Sequence, residues 1–165
     1  MTALYEQSVP FLIRGLEAAS KFLKKAETQA DERKLDKAVV LGLRLTPDMF
    51  NLGRQVMLVT DFAKGSGARC SGATPPSYAD EEKTFEELQA RLAKTIDYLK
   101  TLNAAEFDAN RDVTIKVGGQ DTTFKAPTYF NGVALPNFYF HLTTAYDILR
   151  SNGFMLGKAD FMGRG

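Results

Sequence analysis

The amino-acid sequence predicts an all-α fold: a four-helix bundle with a crossover connection and a small β-hairpin inserted before the last helix. Three observations carry that expectation. Four segments repeat apolar residues at steps of three and four, the pattern of a helix with one buried face. One stretch, VTIKV followed by Gly118-Gly119 and TTF, switches to period two around a turn. The connections between the helical segments are long, which argues against a minimal up-down-up-down bundle and leaves room for a crossover.

The first helical segment puts Tyr5, Val9, Leu12, Leu16, Ala19 and Leu23 on one stripe, between about Thr2 and Glu27. Pro10 lies inside it and supplies no N–H, so a kink is expected. QADERKLD follows as a polar connector with room for a short helical turn. The second segment opens at LTPDMFNLGRQ, with Thr46 as N-cap, Pro47 in the first helical position and Asp48 at the positive end of the helix dipole. Met49, Leu52, Val56, Val59 and Ala63 form its stripe. Gly65 and Gly67 weaken its end by about 1 kcal/mol each relative to alanine, and Gly72 is its left-handed stop just past Cys70. ATPPSYAD reads as a loop.

The third segment has Asp80 as cap, glutamates in its first turn, and Phe85, Leu88, Leu92, Ile96 and Leu99 on one face, ending near Leu102. The hairpin comes next. The fourth helix starts at Pro136, buries Phe138, Leu142, Ala145 and Leu149, and stops at Asn152-Gly153. Phe154, Leu156, Phe161 and Met162 in the tail predict that it folds back onto the bundle. Four such stripes are buried most simply against one another.

Composition bounds the function. A chain of 165 residues fits one domain, spanning 1–165, without interdomain linker or internal repeat. With 44 % hydrophobic and 25 % charged residues, it reads as a soluble globular protein. Its 21 basic and 20 acidic side chains leave a formal charge of +1, so no nucleic-acid footprint is expected. No apolar run approaches the roughly 18 residues of a membrane span. The opening MTALYEQSVPFLIRG, with its early Glu6, does not read as a signal peptide. A single cysteine forms no intrachain disulfide, and the expected compartment is the cytoplasm.

His141 is the one histidine in the chain and lies among aromatic residues. At about 100° per residue it falls near −60° from Phe138, at the edge of the apolar stripe, with Asn137 one turn earlier on the same side and Tyr146 on the other edge. The first reading is a partly buried, hydrogen-bonded imidazole. The second is a ligand-contacting or proton-transferring one, which a pKa near about 6.5 suits. A metal ligand comes last, because a tight site normally takes three or four nitrogen, sulfur or carboxylate donors.

Cys70 follows Arg69 and pairs with His141 as a nucleophile if the two meet in space; otherwise it fills an apolar gap. KGSGARCSG has the glycines of a phosphate loop but at the end of a helix, the wrong place for one. DEEKTFEE reads as capping and solubility, without specific support for a paired-carboxylate hydrolase. Tyr129, Phe130, Phe138, Tyr139 and Phe140 read chiefly as core or interface.

HLTTAYDILRSNG carries His141, Leu149-Arg150 and Gly153 at the offsets of the last-helix motif of the DinB/YfiT-like superfamily. FEELQARLAKTIDYL together with LPNFYFHLTTAYDILRSNGFMLGKADFMG resembles one domain-of-unknown-function family within it, over nearly the whole chain. The resemblance implies a DinB-like four-helix bundle with a long crossover, often homodimeric. Many members hold a divalent metal with three histidines, one on the second helix and two spaced by four on the last, and some transfer low-molecular-weight thiols. His141 matches the second of the spaced pair, Asn137 takes the place of the first, and the second-helix position falls at Gln55 or Val56. Amides are poor donors for zinc or nickel, so no dedicated metal is expected.

The sequence therefore points to a DinB-like protein binding a small molecule in an inter-helical cleft near Gln55, Asn137, His141 and Tyr146. It leaves open whether the protein is an enzyme. One alternative is a transferase- or hydrolase-type enzyme with His141 as general acid or base, oriented by Tyr146 or Asn137, either without metal or with a divalent metal completed by water or a second subunit. The other is a structural homodimer in which His141 only packs. A small-molecule ligand and a second copy of the chain are the expected partners; nucleic acid and membrane are not.

Overall fold

The computed structural model describes residues 3–164. Eight helices and a hairpin follow in chain order among these residues. They are α1 (Ala3–Glu6), α2 (Val9–Glu32), α3 (Lys37–Gly42), α4 (Leu52–Ser71), α5 (Phe85–Thr101), β1 (Asp112–Val117), β2 (Gln120–Lys125), α6 (Ala126–Tyr129), α7 (Leu135–Ser151) and α8 (Lys158–Phe161). A 3-10 turn at Ala104–Glu106 and a π-helical turn at Phe130–Ala134 complete the path. The four long helices form the bundle. α4 packs on α5 and α7, while α2 packs on α5 and α7 from the opposite side. The chain reaches that arrangement through the crossover segments between α2 and α4 and between α4 and α5.

Each long helix buries its apolar stripe. Leu12, Leu16, Ala19, Phe22 and Leu23 of α2 meet Leu88 and Leu92 of α5 and Phe138, Leu142 and Leu149 of α7 in one core. Every fully buried Leu or Phe there contributes about 1.5–3 kcal/mol relative to exposure. Two glycines set how closely helices approach. A Cβ on Gly15 would lie 2.7 Å from the buried Phe138 ring, and one on Gly67 would lie 2.7 Å from Leu99. Gly67, expected to weaken its helix, is where α4 and α5 come together.

The expected element boundaries shift in five places, each for a local reason. The first helix does not kink at Pro10. The chain breaks at Gln7-Ser8, where Ser8 Oγ donates to Leu4 O at 2.5 Å, and Pro10 occupies the first turn of α2, where a missing N–H costs nothing. Thr2, the expected start, lies outside the described residues. α2 then continues through the expected connector to Glu32, and Lys34, at φ 55°, ends it with Leu35 N bonded to Ala30 O.

Thr46 does not cap α4. Its hydroxyl donates to Asp48 in a preceding turn, and Asn51 is the cap, accepting from Arg54 N at 2.9 Å. Asp80 does not cap α5 either. At φ 60° it is held by Arg54 and Arg91, while Thr84 and Glu87 form a reciprocal capping box. Gly72 is the left-handed stop of α4, as expected, at φ 82°.

The hairpin pairs Val113 with Phe124 and Ile115 with Thr122, turning on Gly118 and Gly119 at φ 57° and 84°. The last helix starts earlier than Pro136. From Ala126 to Ser151 the chain stays helical, with the π turn inserted before the proline. Leu135 N reaches back five residues to Phe130 O, and the Asn137 side chain donates to Val133 O at 2.7 Å. The wider turn ends immediately before Pro136, whose ring and missing N–H break the regular ladder. After Gly153, at φ 79°, Arg150 Nη1 donates to Phe154 O and Gln29 bonds both backbone groups of Met155. Lys25 pairs with Asp160 at 3.0 Å. The tail is thus fastened back onto α2, and the Arg150 and Gly153 of the sequence motif serve that reversal.

Candidate functional site

One face of α4 organises the site. Gln55, Leu58, Phe62, Gly65 and Arg69 follow one another at steps of three and four, so they share a side of the helix over about 21 Å. At its N-terminal end His141 of α7 meets Gln55. Their Nδ1 and Oε1 atoms lie 2.7 Å apart, and both residues are buried. Gln55 Nε2 donates to Phe50 O at 3.2 Å, so Oε1 faces the imidazole as an acceptor. The network therefore assigns the proton to Nδ1. Val56, the other position considered for this contact, is buried in the apolar core instead.

The His141 ring is enclosed by aromatic neighbours. Phe62 stacks on it with centroids 5.4 Å apart and planes 18° apart, and Phe140 meets it edge-on at 5.2 Å. Burial lowers its pKa below 6.5, and the nearby Arg54 charge lowers it further, so the imidazole is neutral near pH 7.

Of the four residues singled out from sequence, Gln55 and His141 come together. Asn137 sits one turn from His141, but its amide is turned to Val133 O in its own helix. Tyr146 packs edge-on against Phe22 and Phe161, on the side of α7 that faces α2 and α8. Cys70 is fully buried at the far end of α4, about 22 Å along the axis from Gln55. Burial pushes its thiol up to about 12. A Cys70–His141 nucleophile pair therefore does not form.

Farther along the same α4 face a cleft of about 610 Å³ opens between α4, the hairpin and the π turn. Leu58, Phe62, Ile115 and Val133 give it apolar walls. Its charged groups are Asp61, Lys64, Arg69, Lys116 and Asp121, and Tyr129 lies in its floor. Arg69 Nη1 donates to Tyr129 Oη at 3.3 Å. Burial raises the Tyr129 pKa, so the phenol stays protonated. None of the four sequence-selected residues lines this cleft; Phe62 connects it to His141. The sequence held two signals for it. Phe62 stands seven residues after Gln55 on the same face, and Gly65 stands one turn before Arg69.

The three-imidazole metal centre that the resemblance implies is represented here by one imidazole and two amides. The imidazole Nδ1 is engaged by Gln55, and the Asn137 amide by its own backbone. Among the described residues, no group of three or more His, Cys, Asp or Glu side chains is placed to hold an ion. Zinc and nickel favour imidazole and thiolate over amide oxygen, so these residues do not fit that centre. No helix among the described residues is long and apolar enough to cross a membrane.

A mostly helical bundle with a two-stranded hairpin before its last long helix is a DinB-like fold. The crystal structure of a DinB family member from Shewanella denitrificans superposes with a TM-score of 0.89, at 37 % identity over 96 % of this chain and 91 % of that one. Within that class, the model of a domain of unknown function, DUF1993, matches residues 4–162, and the chain belongs to that family. No curated protein matches the chain.

Proposed function

We propose that this protein binds a small organic molecule in the cleft along the Leu58–Arg69 face of α4, without a metal. The cleft itself carries the reading. Its volume of about 610 Å³ falls among ordinary ligand sites, and it combines apolar walls with a few convergent polar groups. His141 and Gln55 close the N-terminal end of that face from behind. Their hydrogen bond fixes the imidazole, and the imidazole fixes the Phe62 ring that forms one wall. In this reading His141 is a positioning residue. Asn137 holds the π turn that carries Val133 to the opposite wall.

The test is a ligand-observed NMR screen of small amphipathic organic compounds, repeated on Phe62→Ala and Ile115→Glu. The reading expects compounds that bind the wild type with saturation and bind both variants much more weakly. Compounds that bind the variants as well as the wild type, or a screen in which nothing saturates, would contradict it.

A further inference from the structure

We infer that the ligand of this cleft carries a carboxylate, received by Arg69; this rests on the cleft reading above and names the class of molecule. Most charges of the cleft are already paired. Asp61 is paired with Lys64 at 2.9 Å and with Arg91 at 2.8 Å, and Lys116 is paired with Asp121 at 3.0 Å. Arg69 differs. It has no carboxylate within 4.0 Å among the described residues, and its one side-chain hydrogen bond there goes to the neutral phenol of Tyr129. A partly buried guanidinium bonded only to a neutral group has donors to spare, and a carboxylate takes two of them side by side.

The backbone is shaped to present that guanidinium. A Cβ on Gly65 would lie 2.6 Å from Arg69 Nη1, so the side chain folds back over the helix one turn earlier, into the space a larger residue would occupy. Gly65 is mid-helix, where glycine costs stability without giving any turn. The close approach of the Arg69 fork accounts for it. Arg69 also stands in the last turn of α4, where the negative end of the helix dipole favours a cation but supplies no discrete counter-charge.

Asp61 and Asp121 line the same cleft, each already held by a cation. Arg69 therefore leaves one positive charge unanswered, which a carboxylate monoanion matches one for one. The apolar walls suit a hydrocarbon or aromatic body behind the carboxylate. An organic acid of modest size, with one carboxylate and an apolar body, fits both features.

Two matched probes test this: 1-naphthaleneacetate and its neutral amide, 1-naphthaleneacetamide, titrated into the ¹⁵N-labelled full chain near pH 7. The carboxylate is expected to bind at least about tenfold more tightly than the amide, shifting the Gly65 and Ile115 amides and the Arg69 Nε–H. Arg69→Gln is expected to remove that preference, bringing the carboxylate's affinity down to that of the amide. Gly65→Ala, which displaces the guanidinium without deleting its charge, is expected to reduce the preference as well. Circular dichroism of both variants checks that they fold. Equal affinity for the two probes, or a preference that survives Arg69→Gln, overturns the carboxylate assignment and leaves the cleft reading standing. Inorganic phosphate shifting Arg69 as strongly as the carboxylate also overturns it. Absence of cleft shifts with both probes overturns the cleft reading and the assignment with it.

Discussion

Nδ1 of His141, on α7, lies 2.7 Å from Oε1 of Gln55, on α4, and the two helices packed there share the largest interhelical contact of the bundle. The resemblance implies histidines sharing a metal at these places. Here the imidazole donates to an amide oxygen. Because Gln55 Nε2 is spent on Phe50 O, the amide offers only its oxygen, and the imidazole takes the Nδ1–H tautomer.

That tautomer and the burial of the ring set a pH dependence. The pKa of His141 is lowered in the folded state, so the unfolded chain binds the proton more readily. The stability contribution is full above about pH 6.5 and is lost as pH falls from there through the folded-state pKa. Imidazole ¹⁵N shifts are expected to show a neutral Nδ1–H ring at pH 7 titrating below 6.5. Urea unfolding is expected to show a matching loss of stability in mildly acidic buffer that His141→Gln lacks.

Gln55 variants separate packing from hydrogen bonding. Gln55→Leu keeps the volume but leaves Nδ1–H and Phe50 O without their partner, at a cost of about 1–3 kcal/mol in chemical denaturation. Gln55→Glu places a carboxylate against the ring and is expected to raise the His141 pKa above its unfolded value. The sign of the dependence then reverses: added stability is present below about pH 6.5 and disappears as pH rises through the new pKa. An unchanged pH profile in Gln55→Glu would show that the two side chains do not interact.

Arg91 is a deeply buried charge of the bundle, with its side chain 2 % exposed. It reaches Asp61 and Asp80 at 2.8 Å, both oxygens of Glu82 at 3.0 Å and Thr60 Oγ1 at 2.6 Å. Arg91→Met fills similar volume but leaves the partly buried Glu82 without its cation and takes one of two cations from Asp61 and from Asp80. A loss of about 3 kcal/mol is expected in urea unfolding. Burial alone would raise the Asp80 pKa, but Arg54 and Arg91 outweigh it and hold it below 3.8. Its contribution is therefore present above that value and lost as pH falls through the folded pKa, so acid unfolding of the wild type is expected to involve this cluster.

Glycine substitutions test helix spacing. Gly15→Ala gains helix propensity yet drives a methyl into the Phe138 ring, so a net loss of about 1 kcal/mol is expected. Gly42→Ala, with nothing within 4 Å of the new methyl, is expected to be neutral or stabilising. Thermal unfolding of the two variants checks both signs.

The periodic stripes made the bundle legible: Leu12, Leu16, Leu23, Leu88, Leu92, Phe138, Leu142 and Leu149 all lie in the core where their spacing put them. The hairpin was equally legible, because Gly118-Gly119 between alternating residues admits few other conformations. Caps were harder to read. Thr46 and Asn51 are both good cap residues, and the choice between them rests on the tertiary contact of Leu52 N with Leu43 O. The π turn was not legible, since it answers Pro136 through backbone geometry that no residue type marks. The meeting of Gln55 with His141 followed from a helix register that resemblance narrowed to two positions. The cleft did not follow, because its walls come from α4, the hairpin and the π turn, whose docking no single-segment pattern encodes.

The claim beneath the proposed function is that the lone imidazole serves Gln55 and not a metal. Elemental analysis of the full chain purified without an affinity tag, incubated with zinc and with nickel and then desalted, tests it most directly. The account predicts far less than one ion per chain, unchanged in His141→Ala. One ion retained per chain in the wild type, and lost in His141→Ala, would contradict it.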